Sequence, residues 1–395
     1  MGHTSRKAVI LTAIAALGIG LSAATTSTAA QAAPATGPAS AGRVLPDGGG
    51  GGLAAVSADS PTDAWAVAGG SPGTVTLHWD GTAWSQVPSP SAGPKGDQLT
   101  GVTAESPADA WAVGYYANST CAMAVTLILH WNGIAWSRVR SPDPGAACNY
   151  LEGVSVTSAT DAWAVGQSCT FAVNTCHTLI LHWNGTAWSK VASPSPGTGG
   201  FDPLTAVSAD SAADAWAVGY YCTTDSCTIR HTLTLHWNGT AWSRIASPNQ
   251  APGTYFPDAV SADSPTDAWT VGTYCTAATC DSENTLTLHW NGTVWSKVAS
   301  PNPGPVKDNL NGVTALSPTD AWAVGDYCVH SGCSFRDTLT LHWDGTAWSQ
   351  VASPTPRSGP QNYLSGVTAT GTDDAWAVGS TILHWNGAAW SISPS

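Results

Sequence analysis

Basic residues are scarce in this chain, which carries 13 Lys and Arg against 26 Asp and Glu. Arg6 and Lys7 belong to the leader described below and no acid precedes Asp47, so the remainder holds 26 acidic against 11 basic groups. A surface of that sign repels phosphate backbones and anionic lipid headgroups, so neither nucleic acid nor membrane is expected as a partner. Charge of either sign is thin at 10 %, and methionine occurs only twice. Catalytic and metal signatures are missing too. No HExxH, Walker A or EF-hand pattern occurs, nor any CxxC pair or Cys/His quartet. Gly69-Gly70-Ser71-Pro72-Gly73 matches G-x-S-x-G, but that motif needs a strand-to-helix elbow, and this copy sits in a Gly/Ser/Pro-rich hairpin loop.

Tryptophan is what the chain has in excess, and all 21 obey one period. Asp-Ala-Trp places Trp at 65, 111, 163, 216, 269, 322 and 376; His-Trp places it at 79, 131, 183, 237, 290, 343 and 385. A third Trp follows five residues later, from Trp84 to Trp390. Each unit parses into four strands. Leu99-Thr100-Gly101-Val102-Thr103-Ala104 is a short first strand of small residues, and Ala110-Trp111-Ala112-Val113-Gly114 is the second. Thr232-Leu233-Thr234-Leu235-His236-Trp237 alternates with period two, as a strand does, and an Asn-Gly or Asp-Gly pair then predicts a two-residue hairpin with both positions at positive φ. A fourth strand such as Ala241–Ile245 ends at Ser-Pro. One such sheet cannot bury its two apolar faces, whereas seven packed around an axis bury both. The expected fold is all-β: a seven-bladed β-propeller with four antiparallel strands per blade, over residues 53–395, with blades starting near 53, 99, 151, 204, 257, 310 and 364. Closure is expected from packing blade seven on blade one, helped by residues 43–46 on an edge.

Residues 1–32 read as a signal peptide: a positive n-region, an apolar stretch from Ala8 to Ala24, and Ala30-Gln31-Ala32 as cleavage site. Residues 33–52 read as a flexible Ala/Pro/Gly-rich linker. The expected location is secreted and extracellular. Ten cysteines in an exported chain then predict disulfides. The spacings pair Cys169–Cys176, Cys222–Cys227, Cys275–Cys280 and Cys328–Cys333 in the loops between second and third strands, leaving Cys121–Cys148 as the fifth bridge.

A residue present in every blade is more readily architectural than catalytic. That covers the seven histidines of His-Trp and the seven aspartates of Asp-Ala-Trp, which are expected to pair within a blade. Gln86, Arg138, Lys190, Arg244, Lys297 and Gln350 follow the last Trp of their units and are expected to form a solvated outer rim. Function is sought where the repeat breaks, on the face formed by the second-to-third-strand loops and the inter-blade loops. The candidate binding residues there are Asp97, Asn149, Tyr150, Asp202, Tyr221, Arg230, His231, Tyr255, Asp308, Arg336, Asn362 and Tyr363. Asp97, Asn149, Asp202, Asp308 and Asn362 stand two residues before the leucine opening the inner strand. Two readings remain for them: a ring of oxygens for calcium or a polyol at the channel mouth, or Asx-type turns into a strand. No cofactor is expected, a structural calcium ion excepted.

Leu-x-Gly-Val, Asp-Ala-Trp-Ala-Val-Gly and Leu-His-Trp-Asn-Gly-Thr-Ala-Trp together resemble the repeat of secreted actinobacterial propellers of the Asp-box (BNR-like) group. The Asn-Gly-Thr-Ala-Trp hairpin is similar to a degenerate Asp-box. The group includes sialidases, assembly factors and lectin-like binders, so the resemblance implies the fold and leaves the activity open. A sialidase would need an arginine cluster, and only Arg140, Arg230, Arg336 and Arg357 break the repeat. The expectation is a monomeric, non-enzymatic interaction protein that binds an extracellular protein, such as a protease or cell-wall protein. The alternatives are a glycan-binding lectin and a hydrolase or lyase at the channel mouth.

Overall fold

Alternation in a strand ordinarily means one dry face and one wet face. In the third strand of this repeat both are dry: Thr232, Leu233, Thr234 and Leu235 are all buried. The buried threonines are satisfied locally, the Thr234 hydroxyl donating to the Ile245 carbonyl at 2.7 Å. A sheet buried on both faces must have a neighbour on each side, and the arrangement of the sheets supplies it.

The computed structural model describes residues 52–393, apart from 71–72, 94–95, 118–123, 145–147, 171–174, 250–252 and 357–359. The expected signal peptide, most of the linker, and residues 43–46 lie outside the described residues. The strands form seven four-stranded antiparallel sheets, each with its strands in chain order. Blade four is typical: Leu204–Ser211, Asp214–Cys222, Arg230–Trp237 and Trp242–Ile245. First strands pack on one another from blade to blade, and that of blade seven packs on that of blade one. The fold is an all-β seven-bladed β-propeller.

The tryptophans fill the spaces between blades. Trp216 of the second strand in blade four meets Trp290 and Trp295 of blade five, each at 4.9 Å between ring centroids. Its other neighbour is its own blade's His236, at 4.5 Å. The pattern runs round to Trp376 of blade seven, which meets Trp79 at 4.8 Å and Trp84 at 5.3 Å in blade one. Each His-Trp histidine pairs through Nε2 with the Asp-Ala-Trp carboxylate of its blade, from 2.5 Å for His236–Asp214 to 2.9 Å for His130–Asp109. Closure adds hydrogen bonds from Leu53 N to the Gly379 carbonyl (2.9 Å) and from Gly52 N to the Tyr363 hydroxyl (2.8 Å). Among the described residues no strand is exchanged between blades one and seven.

One expectation needs correction. The Asn-Gly turn is not a two-residue hairpin. Trp237 pairs with Trp242, leaving four residues in the loop, and of these only Gly239 has positive φ (84°). The Asn238 side chain holds the loop instead, its Oδ1 accepting from the amides of Thr240 and Ala241, both at 3.0 Å. The outer rim is exposed at all six positions, as expected, but three of its cations make ordered contacts. Arg138, Arg244 and Lys297 fold back over Tyr116, Tyr221 and Tyr274, the two arginines also donating to the tyrosine hydroxyls. An aromatic ring two strands away captures a long cation that would otherwise lie free.

Disulfides join Cys169–Cys176, Cys222–Cys227, Cys275–Cys280 and Cys328–Cys333. Cys227, Cys280 and Cys333 all adopt the left-handed φ that non-glycine residues avoid. Cys148 is a buried free thiol, and Cys121, its expected partner, lies outside the described residues.

Candidate functional site

The channel is built from the first-strand motif Leu-x-Gly/Ala-Val. First strands of adjacent blades approach so closely that a Cβ on Gly101 would stand 3.1 Å from the Glu152 carbonyl oxygen and 3.2 Å from the Gly153 Cα. Only glycine or alanine suits the third position, and the residue before it lines the channel. Going round, that residue is Ala54, Thr100, Glu152, Thr205, Asp258, Asn311 and Ser365. Its neighbours repeat while it changes from blade to blade.

The ring divides by chemistry. Thr100 donates through Oγ1 to the Leu151 carbonyl of the next blade at 2.7 Å. Thr205 does the same to Pro257 at 2.8 Å, and Asn311 Nδ2 to Leu364 at 2.8 Å. In blades two, four and six this position therefore ties one inner strand to the next. In blades three and five it holds Glu152 and Asp258, and neither carboxyl has a hydrogen bond or ion pair among the described residues. Burial pushes the Glu152 carboxyl up from 4.5 to about 7, and burial likewise pushes Asp258 up from 3.8 to about 7. Both side chains meet solvent only along the channel.

Glu152, Asp258, Thr100, Thr205 and Asn311 open together into a cavity of about 370 Å³ on the loop face, walled by Gln167, Pro203 and Tyr220. Around this mouth the ends of the first and second strands carry aromatic residues in some blades and not in others. Tyr115 and Tyr150 meet edge to face at 4.8 Å. The Arg230 guanidinium lies 5.0 Å from the Tyr220 centroid and 4.6 Å from that of Phe256. On the other side Arg336 pairs with Asp326 at 2.8 Å, and Asp326 accepts from Asn311 at 3.5 Å. The two loop types do share this face. Glu283 N donates to the Val306 carbonyl at 2.8 Å and Arg336 N to that of Pro360 at 2.9 Å, each joining a second-to-third-strand loop to the following inter-blade loop.

Of the twelve residues singled out in the sequence, three flank the mouth: Arg230 over Tyr220, Tyr150 near Glu152, and Arg336 through Asp326 and Asn311. The five proposed oxygen donors are buried instead, four held within their own loops and Asn362 tied to the start of a neighbouring strand. Asp97 accepts from Ser91 Oγ (2.9 Å), Ala92 N (2.6 Å) and Gly93 N (2.8 Å); Asp202 accepts from Ser195 Oγ at 2.6 Å; Asp308 accepts from Gly304 N at 2.7 Å. Asn149 donates to Asp143 at 2.6 Å and Asn362 to the Arg336 carbonyl at 3.1 Å. These are turns stapled by an Asx side chain, and they present no open ring of oxygens. Burial, with Asp326 nearby, raises the Asp308 carboxyl to about 6 despite the Gly304 amide.

Tyr221 and Tyr255 are buried, the first stacked on His231 at 5.2 Å and the second on Tyr274 at 6.0 Å. Burial, then Arg244, depresses the His231 imidazole. Tyr363 accepts the closing bond from Gly52. Strand alternation explains the miss at 221: its neighbour Tyr220 is the one that walls the mouth. Glu152, Asp258 and Tyr220 escaped notice although the sequence held a signal for the first two. It is the most variable position of the repeated motif.

A larger groove of about 1070 Å³ lies at the outer edge between blades two and three, and one of about 720 Å³ lies between blades six and seven. Both lie between adjacent blades and are lined largely by repeated residues. Among the described residues no three His, Cys, Asp or Glu side chains converge to hold a metal ion, and no helix is long and apolar enough to cross a membrane.

No protein-family model matches the chain, and no curated protein does. Solved structures do. One described as YCF48 bound to D1 peptide matches with a TM-score of 0.51 at 13% identity, over 85% of this chain and 91% of that one. The WD40 β-propeller domain of Doa1 matches with a TM-score of 0.53 at 9% identity, over 85% and 92% respectively. This chain is thus similar to other propeller proteins in fold, and at such identities the likeness extends to fold alone.

Proposed function

We propose that the chain is a secreted, non-enzymatic interaction protein whose disulfide-braced loop face binds another extracellular protein, such as a protease or cell-wall protein. The observation that carries this reading is convergence: Glu152, Asp258, Tyr150, Tyr220 and Arg230, all at positions whose residue varies from blade to blade, gather at one channel mouth. Short disulfide loops stiffen the surrounding face, which lowers the ordering penalty of association. YCF48 is seen with a peptide bound, so a propeller of this size is able to serve such a role. The export signal at 1–32 and the Asp-box-like hairpin place the chain, in our reading, among secreted bacterial propellers. Against catalysis, both channel carboxyls are pushed in the same direction, whereas an acid/base pair needs its members pushed apart.

The test is affinity capture on the mature chain, with Tyr220→Ala/Arg230→Ala as the altered mouth and Gln86→Ala as an outer-strand control. A protein retained by the parent and the control and lost from the altered mouth is the expected result. Retention of glycans with no such protein would favour the lectin alternative, for which the Tyr220–Arg230–Phe256 shelf offers a stacking surface.

A further inference from the structure

We propose that the loop-side mouth of the channel binds a cationic side chain, lysine ammonium or arginine guanidinium, between Glu152 and Asp258. The peptide origin of that cation rests on the interaction reading above; the cation chemistry does not.

The comparison among blades carries the argument. At the same ring position Thr100, Thr205 and Asn311 each donate to a carbonyl of the next blade. An ionised carboxylate only accepts, so Glu152 and Asp258 give up that inter-blade tie when charged. They gain no partner in exchange. Each is half-buried on the channel wall, and each lines the cavity without a hydrogen bond or ion pair from the described residues. Two half-buried carboxylates left unpaired in one small cavity keep acceptor oxygens open to a cation from outside. Arg230, the nearby cation, is held over Tyr220 and Phe256 and pairs with neither. Since it engages Tyr220 as a guanidinium on a ring, that wall suits an organic cation. At about 370 Å³ the cavity is small for a ligand pocket, and it admits a side chain rather than a helix. A divalent metal would need further ligands, and no third acidic or histidine side chain converges among the described residues.

The groups facing the two carboxyls are the phenols of Tyr115, Tyr150 and Tyr220, with Arg230 behind Tyr220. Burial raises all three phenols, so they stay neutral and only the carboxyls change charge near neutrality. Cation binding should therefore tighten as pH rises from 6 to 8.

Titration calorimetry with short glycine peptides carrying one central lysine or arginine tests the proposal. The comparison ligands are the glutamine peptide, free arginine, spermidine and calcium chloride. We expect the lysine or arginine peptide to bind at least about tenfold more tightly than the glutamine peptide. That preference should vanish in Glu152→Gln/Asp258→Asn and persist in Glu105→Gln, an exposed carboxylate away from the mouth. Circular dichroism would verify that the double variant is folded. Free arginine or spermidine binding as tightly as the peptide would keep the cation site and assign it to small molecules. Equal binding of the glutamine peptide, an unaffected double variant, or stoichiometric calcium displacing the peptide would overturn the inference. A captured partner that still binds the double variant would also overturn it, while leaving the interaction reading in place.

Discussion

Glu152 and Asp258 stand where other blades place a hydrogen-bond donor, and that substitution has a thermodynamic signature. Their carboxyls titrate near 7 in the folded chain and near 4.5 and 3.8 unfolded. Between those values the folded state holds more protons than the unfolded one, so stability falls as pH rises from about 4 to about 7 and stays lowered above. Discounting for water in the channel, each group is worth on the order of 1–2 kcal/mol. Glu152→Gln/Asp258→Asn is therefore expected to melt higher than the parent at pH 8 and alike at pH 4, measured by thermal unfolding across pH. A variant that gains stability while losing binding marks a site kept for ligand. Tyr221→Ala should do the opposite, lowering stability by about 3 kcal/mol in denaturant titration and leaving partner capture intact, because the ring is packed beneath Arg244. None of this was legible from composition. Leu-Glu-Gly-Val and Pro-Asp-Ala-Val were visible as variations on a motif, but only the approach of neighbouring inner strands aims their side chains into one cavity.

At the level of elements, the sequence disclosed much more. The repeat predicted each strand because a period-two strand, a Gly-containing turn and a Ser-Pro stop are local events. The pairing of His236 with Asp214 followed from their recurrence in every blade. What stayed hidden was direction: nothing local tells whether Tyr220 or Tyr221 faces the axis. The Asx staples and the four-residue hairpins show the same limit, since an Asn side chain that caps its own loop looks in sequence like a surface oxygen. Trp216→Ala should cost about 3–5 kcal/mol, because the ring fills the interface between blades four and five, and urea unfolding would register it. Replacing Cys222 and Cys227 by serine is expected to lower global stability by about 2 kcal/mol or less. The same change should sharply raise proteolysis within residues 222–230, since the bridge restrains a short exposed loop.

Over the whole molecule, the ring closes by packing and a few hydrogen bonds. Trp376 against Trp79 and Trp84 repeats the contact made at every other interface, supplemented by Leu53, Gly52 and Ala58 reaching blade seven. This seam alone lacks a covalent connection between successive blades. Hydrogen exchange under mild denaturant is expected to label the inner strands of blades one and seven before those of blade four; uniform labelling would contradict it. The seam also has a consequence for the chain's beginning. Because no blade borrows a strand from another among the described residues, the polypeptide can be recut. Joining Ser393 to Leu53 with a linker as long as that from Val191 to Leu204, and opening the chain at any other inter-blade loop, should regenerate the same ring. Where this protein starts is then a matter of gene order, and the circle itself has no first blade.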